Sequence, residues 1–226
     1  MPWLVSGASS GLGAFFRESL GAEKYSRSGD SPPPEYVDTI IHCAFDQRKQ
    51  IPASCLGEYL EGTSVLTRRL LSIPHRRFVF ISTVEVYGSS SSGIEDEDVM
   101  VSEQSIYGLS KLYCETMVRE SPRHLILRCG LLMGRKPNSV SRIIHEERPV
   151  LRTSEESTFS CVLYRDILRI VTEAQNDDIC GTYNVVSSDS VAIGYVASFY
   201  GRKPVFGKYL YRSPFASNVK LVDHLS

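Results

Sequence analysis

Between Val5 and Phe16 the chain reads VSGASSGLGAFF, three glycines set between a short apolar run and the amphipathic stretch AFFRESL. A strand that runs straight through a glycine-rich turn into a helix is the opening βα unit of a doubly wound α/β sheet. Glycine at Gly7, Gly11 and Gly13 lets the backbone turn tightly and approach a bound pyrophosphate. The helix amino terminus behind the turn then offers free N–H groups and the positive end of its dipole. Gly7, Ser9, Ser10, Gly11, Leu12 and Gly13 are therefore the candidate cradle of a dinucleotide.

The rest of the chain repeats the alternation of short β-rich runs with amphipathic stretches, as a parallel sheet requires. Strands are expected at Trp3–Ser6, Lys24–Ser26, Thr39–Ala44, Phe78–Thr83, His124–Cys129 and Thr182–Val186. Helices are expected over about ten residues around AFFRESL, at Ser54–Ser72, at Ile106–Glu120 and at Asp166–Ala174. SGDSPPPEY reads as a proline-bearing loop, and GSSSSGIEDEDVMVSEQS as a polar, acidic one. At 226 residues this is one ordinary domain with at most a small appendage. We divide it into a dinucleotide-binding part, 1–187, and a reduced substrate region, 188–226.

Charge excludes some classes of function. Twenty-five basic against 26 acidic residues leave a net charge of −1, with no basic field for nucleic acid or an anionic membrane. The apolar runs are of strand length, too short for a bilayer. The opening MPWLVSG has no cationic start and no long apolar stretch, so no signal peptide is expected. The six cysteines are scattered without a C-x-x-C pair, which suits free thiols in a reducing cytoplasm. No metal-ligand spacing is visible.

Residues 23–30, EKYSRSGD, bear on the choice of cofactor. An acidic residue after the second strand bonds a ribose hydroxyl, whereas an arginine accommodates a 2′-phosphate. Arg27 directly follows the expected strand, so NADP(H) is favoured; Asp30 keeps NAD(H) as the alternative. Tyr107 and Lys111 stand four residues apart on an expected helix and so share a face. A free phenol, with a pKa of about 10, is a poor proton carrier at neutral pH. A neighbouring ammonium favours the phenolate and is expected to lower that value. The strand FVFIST ends in hydroxyls where α/β sheets bind ligands, and Thr83 there can hydrogen-bond a reacting oxygen. Glu85 follows as a candidate base, or as an ordinary strand-end carboxylate. His42, in an apolar strand, is expected to be packed or hydrogen-bonded. His145, Arg142 and Arg152 are weaker candidates for contact with a substrate phosphate.

Taken together, SGASSGLG, IIHCA, FVFISTVEVYG, YGLSKLYCE, LILRCGLLMG and GTYNVVS resemble, in order, the motifs of the short-chain dehydrogenase/reductases. The similarity is to their extended branch, which modifies sugar nucleotides, and it covers residues 3–187. It implies a Rossmann fold, with Thr83 as the active-site hydroxyl and Tyr107 as the catalytic acid/base. Lys111 would hold the nicotinamide ribose, Cys43 and Ala44 would line the cofactor groove, and the chain would form a homodimer through its Ser54–Ser72 and Ile106–Glu120 helices. The chain also departs from the branch. Its glycine spacing is that of the classical enzymes, Tyr59 stands where asparagine is usual, and the 27–38 segment and the tail are short. STVEVYG is similar to the S-T-D-E-V-Y-G of 4,6-dehydratases, but Val84 replaces the aspartate and cannot transfer a proton.

The resulting expectation is an NADP(H)-dependent oxidoreductase or epimerase acting on a nucleotide-linked sugar. The alternatives are an NAD-retaining dehydratase or decarboxylase that uses Glu85, and a catalytically silent cofactor sensor or scaffold on the same fold.

Overall fold

The computed structural model describes residues 2–25, 34–46, 48, 51–88, 97, 105–176 and 179–225. Arg27, Asp30 and most of the acidic loop after Gly88 lie outside the described residues.

The elements run β1 (Trp3–Ser6), α1 (Gly11–Leu20), β2 (Glu23–Lys24), β3 (Val37–His42), α2 (Leu56–Leu71), β4 (His75–Thr83), α3 (Ile106–Val118), β5 (His124–Cys129) and β6 (Leu131–Met133). There follow α4 (Ser139–His145), β7 (Thr158–Phe159), β8 (Cys161–Leu163), α5 (Tyr164–Asn176), β9 (Gly181–Val185), β10 (Val191–Ala192), α6 (Ile193–Phe199) and α7 (Val219–Leu225). Six strands form one sheet in the order β2-β1-β3-β4-β5-β9, every pair parallel. This is the doubly wound Rossmann arrangement. The chain leaves β1 toward β2 on one side and returns to β3 on the other, which opens a crevice at the carboxyl ends of β1 and β3.

Side chains alternate across the sheet with the period of two that strands impose. Val79 and Ile81 of β4 pack with Val5, Ile41, Leu125 and Leu127 under α1 and α5. Phe78 and Phe80 face the other way, with Leu4, Ile40 and Ile126 under α2 and α3. Both faces are covered, so the central strands read as near-continuous apolar runs. A third cluster joins α4 (Val140, Ile143) to Phe159 and α6 (Ile193, Val196, Ala197), with Tyr211 against it. That cluster forms a small lobe beyond the carboxyl edge of the sheet.

Several boundaries differ from expectation. The second strand pairs only through Glu23 and Lys24, opposite Leu4 and Val5. β3 starts at Val37 and stops at His42, so Cys43 and Ala44 belong to the loop. The Ala44 N–H there donates to Ser6 Oγ (3.2 Å). α2 starts at Leu56, after a 3₁₀ turn at Ala53–Cys55. His42 is fully buried, its ring bonded to Ser6 Oγ (2.7 Å) and Thr67 Oγ1 (3.0 Å). All six cysteines are free thiols.

A buried ionic knot ties α3 to β4 and β5. Glu115, with no exposed surface, receives three bonds from Arg128, itself 3 % exposed, the shortest at 2.8 Å. Ser82 donates to the same carboxylate (2.5 Å). Arg128 also donates to Tyr87 Oη (2.9 Å) and to the Glu97 carbonyl (3.1 Å), and Tyr87 donates to Asn184 (2.7 Å). Removing one partner of such a pair leaves an uncompensated buried charge, which costs more than losing both. Arg128→Met is expected to lower the unfolding free energy by about 3 kcal/mol or more. Adding Glu115→Gln is expected to restore part of that loss, with urea denaturation as the measurement.

Candidate active site

The glycine turn is a matter of space. Gly7 has φ 72°, and a Cβ there would lie 2.7 Å from the Ala44 nitrogen in the loop after β3. A Cβ on Gly13 would run into the Gly7 carbonyl oxygen, and Gly11 has φ 58°. Larger residues would push β1, β3 and α1 apart. Ser10, the N-cap of α1, is extended and makes no side-chain capping bond. The first N–H groups of the helix therefore face the turn without a side-chain partner, as an anion-binding turn requires.

A cleft of about 780 Å³ runs from this turn along the carboxyl ends of the strands. Gly7, Ser9, Ser10, Gly11, Leu12, Gly13, Cys43, Ala44, Thr83, Glu85, Tyr107 and Lys111 all line it. The structure thus gathers every expected site residue except Arg27, which lies outside the described residues. The Thr83 hydroxyl accepts the Glu85 N–H (3.2 Å). Glu85 accepts a bond from Ser105 (3.4 Å), whose hydroxyl also caps α3 through the Gly108 N–H (3.1 Å).

Lys111 is buried, and its Nζ donates to the Ile81 carbonyl (2.6 Å). The ammonium lies 3.9 Å from the Phe45 ring centroid and 4.6 Å from that of Phe80, both within cation–π range. Its distance to the Tyr107 ring is 6.0 Å, and Phe45 stands edge-on to Tyr107 at 5.9 Å, beside both groups. Burial lowers the Lys111 pKa to about 8. Tyr107 moves the opposite way from expectation. Burial, followed by the Glu85 charge, pushes the phenol above its ordinary value. The ammonium itself bonds a carbonyl and lies over two rings, and burial and Glu85 set the direction of the phenol's shift.

The lining residues without a sequence signal include Phe45, Lys136, Tyr164 and Tyr211. Tyr211 stacks on Phe159 (4.8 Å between centroids, 21° between planes) and closes the cleft from the small lobe. Burial and the Glu85 charge raise its phenol too. Tyr59, in place of the usual asparagine, donates to the Asp46 carbonyl (3.0 Å) and lies 3.4 Å from Ser110 Oγ, which ties the loop after β3 to α3. Burial raises the Cys43 thiol to about 12, so it serves as an apolar wall. Arg142 pairs instead with Glu146 (2.7 Å), and none of Arg142, His145 and Arg152 is among the described lining residues. Among the described residues no cluster of metal-ligating side chains occurs, and no helix is long and apolar enough to cross a membrane.

Residues 33–162 match the family model described as the NAD dependent epimerase/dehydratase family. No curated protein matches the chain. Solved structures share its fold at low identity. One is UDP-glucuronic acid 4-epimerase from Bacillus cereus in complex with NAD, 19 % identical with a TM-score of 0.78, covering 100 % of this chain and 90 % of the other. Another is RMD from Pseudomonas aeruginosa complexed with NADPH, 17 % identical, TM-score 0.76, covering 99 % and 92 %. A third is a dTDP-4-dehydrorhamnose reductase from Clostridium acetobutylicum, 18 % identical, TM-score 0.72, covering 98 % and 92 %.

The buried lysine makes stability depend on pH in a defined direction. Its pKa falls from an ordinary 10.5 to about 8 on folding, so between those values the unfolded chain binds more protons. Stability contributed at this residue therefore rises with pH across that window and is absent below it. Relative to Lys111→Met, the wild type is expected to gain at most about 3 kcal/mol between pH 8 and 10.5. Paired thermal melts across that range measure it.

Proposed function

The chain belongs to the NAD dependent epimerase/dehydratase family, and from that membership we propose that it moves a hydride to or from a carbon of a nucleotide-linked sugar. The observation that carries the reading is the gathering of Thr83, Tyr107 and Lys111 on the cleft that begins at the glycine turn. The turn suits a dinucleotide because its glycines allow β1, the loop after β3 and α1 to close tightly beneath the start of α1, where Ser10 makes no side-chain cap. Bound there, a nicotinamide dinucleotide supplies or accepts the hydride. Thr83 then donates its hydroxyl proton in a hydrogen bond to the reacting oxygen, and Tyr107 exchanges the hydroxyl proton. Lys111 offers its ammonium to the ribose from the floor of the cleft. Reduction or epimerisation fits better than elimination, because Val84 beside Glu85 has no proton to move.

Arg27, following β2, supports NADP(H) over NAD(H). The solved structures of this fold name either cofactor, NAD in the 4-epimerase and NADPH in RMD. The decisive experiment titrates wild type and Tyr107→Phe with NADPH and NADH by nicotinamide fluorescence, alongside turnover of nucleotide sugars. Tyr107→Phe is expected to bind cofactor as the wild type does while turnover falls by about 10²-fold or more. NADPH is expected to bind more tightly than NADH. Full turnover in the variant would remove Tyr107 from the chemistry, and tighter NADH binding would move the assignment from Arg27 to Asp30.

The family resemblance also supports a homodimer through α2 and α3. Leu56, Leu109 and Tyr113 leave large apolar surface exposed on these two helices, which pack against each other. The mass in solution is expected to be twice 25.3 kDa; a monomer by light scattering would remove this part of the proposal.

A further inference from the structure

Of the described residues lining the cleft, two are cationic, Lys111 and Lys136. Lys111 lies deep at the Ile81 end. Lys136 lies at the other end, over the glycine turn: its Cδ is 3.8 Å from the position a Cβ on Gly11 would occupy. The ammonium is two bonds further along the chain.

The segment that carries Lys136 is held in place at several points. Gly134 packs on the face of Tyr164, and a Cβ there would run into the ring. The Lys136 backbone N–H bonds the Tyr164 hydroxyl, and the Tyr164 ring packs against Phe15 of α1 (5.7 Å). Arg135 pairs with Glu18 on α1. Asn138 caps α4 in a reciprocal box with Ser141 and donates to the Leu132 carbonyl (2.9 Å). The loop from 134 to 138 is thus fastened to α1 on one side and to α4 on the other. This brings the Lys136 side chain to the start of α1, beside the glycine turn.

We propose that Lys136 is a cofactor ligand, closing over the dinucleotide pyrophosphate from the side opposite the glycine turn. This rests on the dinucleotide reading above. The turn meets the pyrophosphate with backbone N–H groups and a helix dipole, which carry only partial charge, whereas the diphosphate carries two full negative charges. An ammonium on the open side supplies the missing full charge. Because both cofactors contain this group, the contact strengthens NADPH and NADH alike and leaves the choice between them to the residues after β2.

The test uses binding, with the full chain and no substrate. NADPH, NADH and ADP-ribose are titrated by calorimetry against wild type, Lys136→Gln, Lys136→Arg and Arg135→Gln. Lys136→Gln is expected to weaken all three ligands by a common factor of about five at low salt, a size suited to an exposed ion pair. The deficit is expected to shrink at 0.5 M salt as screening sets in. Lys136→Arg is expected to retain most of the affinity, and Arg135→Gln to lose little because its charge is held by Glu18. Equal binding by Lys136→Gln and wild type would overturn the proposal and leave the dinucleotide reading standing. Equal losses in Lys136→Gln and Arg135→Gln would also overturn it, in favour of a diffuse field. If the wild type bound none of the three ligands, the dinucleotide reading would fall and take this proposal with it.

Discussion

The molecule depends on one close approach, that of Gly7 to Ala44. The end of β1 and the end of β3 come so near that no side chain fits at residue 7, and α1 is drawn in until Gly13 meets the Gly7 carbonyl. This contact falls at the point where the strand order reverses, so the crevice that every doubly wound sheet has there is narrow at its floor. Ser6 stabilises the same corner, taking the Ala44 N–H and bonding His42. The cleft, its lining hydroxyls and the exposed start of α1 all follow from how this corner closes.

From that corner the cleft runs to α3, where a single stripe of side chains reaches from the cleft lining into the buried ionic knot. Tyr107, Lys111 and Glu115 succeed one another at four-residue intervals and therefore share a face. Tyr107 lines the cleft, Lys111 reaches under it to the Ile81 carbonyl, and Glu115 holds Arg128 and Ser82 in the interior. Ser82 and Thr83 are neighbours on β4 but point opposite ways, one into the ionic knot and the other toward the cleft. The knot thereby fixes the register between α3 and β4 that places Thr83 near Tyr107.

Much of this could be read from the residues alone. Buried central strands announce themselves as apolar runs, and β5 begins and ends where its pattern says. The glycine turn was legible because each glycine answers a spatial demand that other residues cannot meet. The small lobe was not. Its helices have seven residues and its strands two or three, too few for either period to emerge. Tyr211 and Lys136 consequently gave no signal, since each reaches the cleft only through the fold of that lobe. The Tyr107–Lys111 spacing identified a shared face but not the environment on it. That Phe45 would lie against both groups depends on where the loop after β3 is tied, and Tyr59 bonds that loop from α2.

The charge balance of the cleft bears on the direction of the proposed reaction. Both phenols, Tyr107 and Tyr211, are raised by burial and by the same carboxylate, Glu85. A raised phenol holds its proton and so favours the role of donor, the role needed when a carbonyl is reduced. Transient oxidation followed by re-reduction uses the same phenol first as acceptor and then as donor, with Glu85 the charged group that acts on it in both halves.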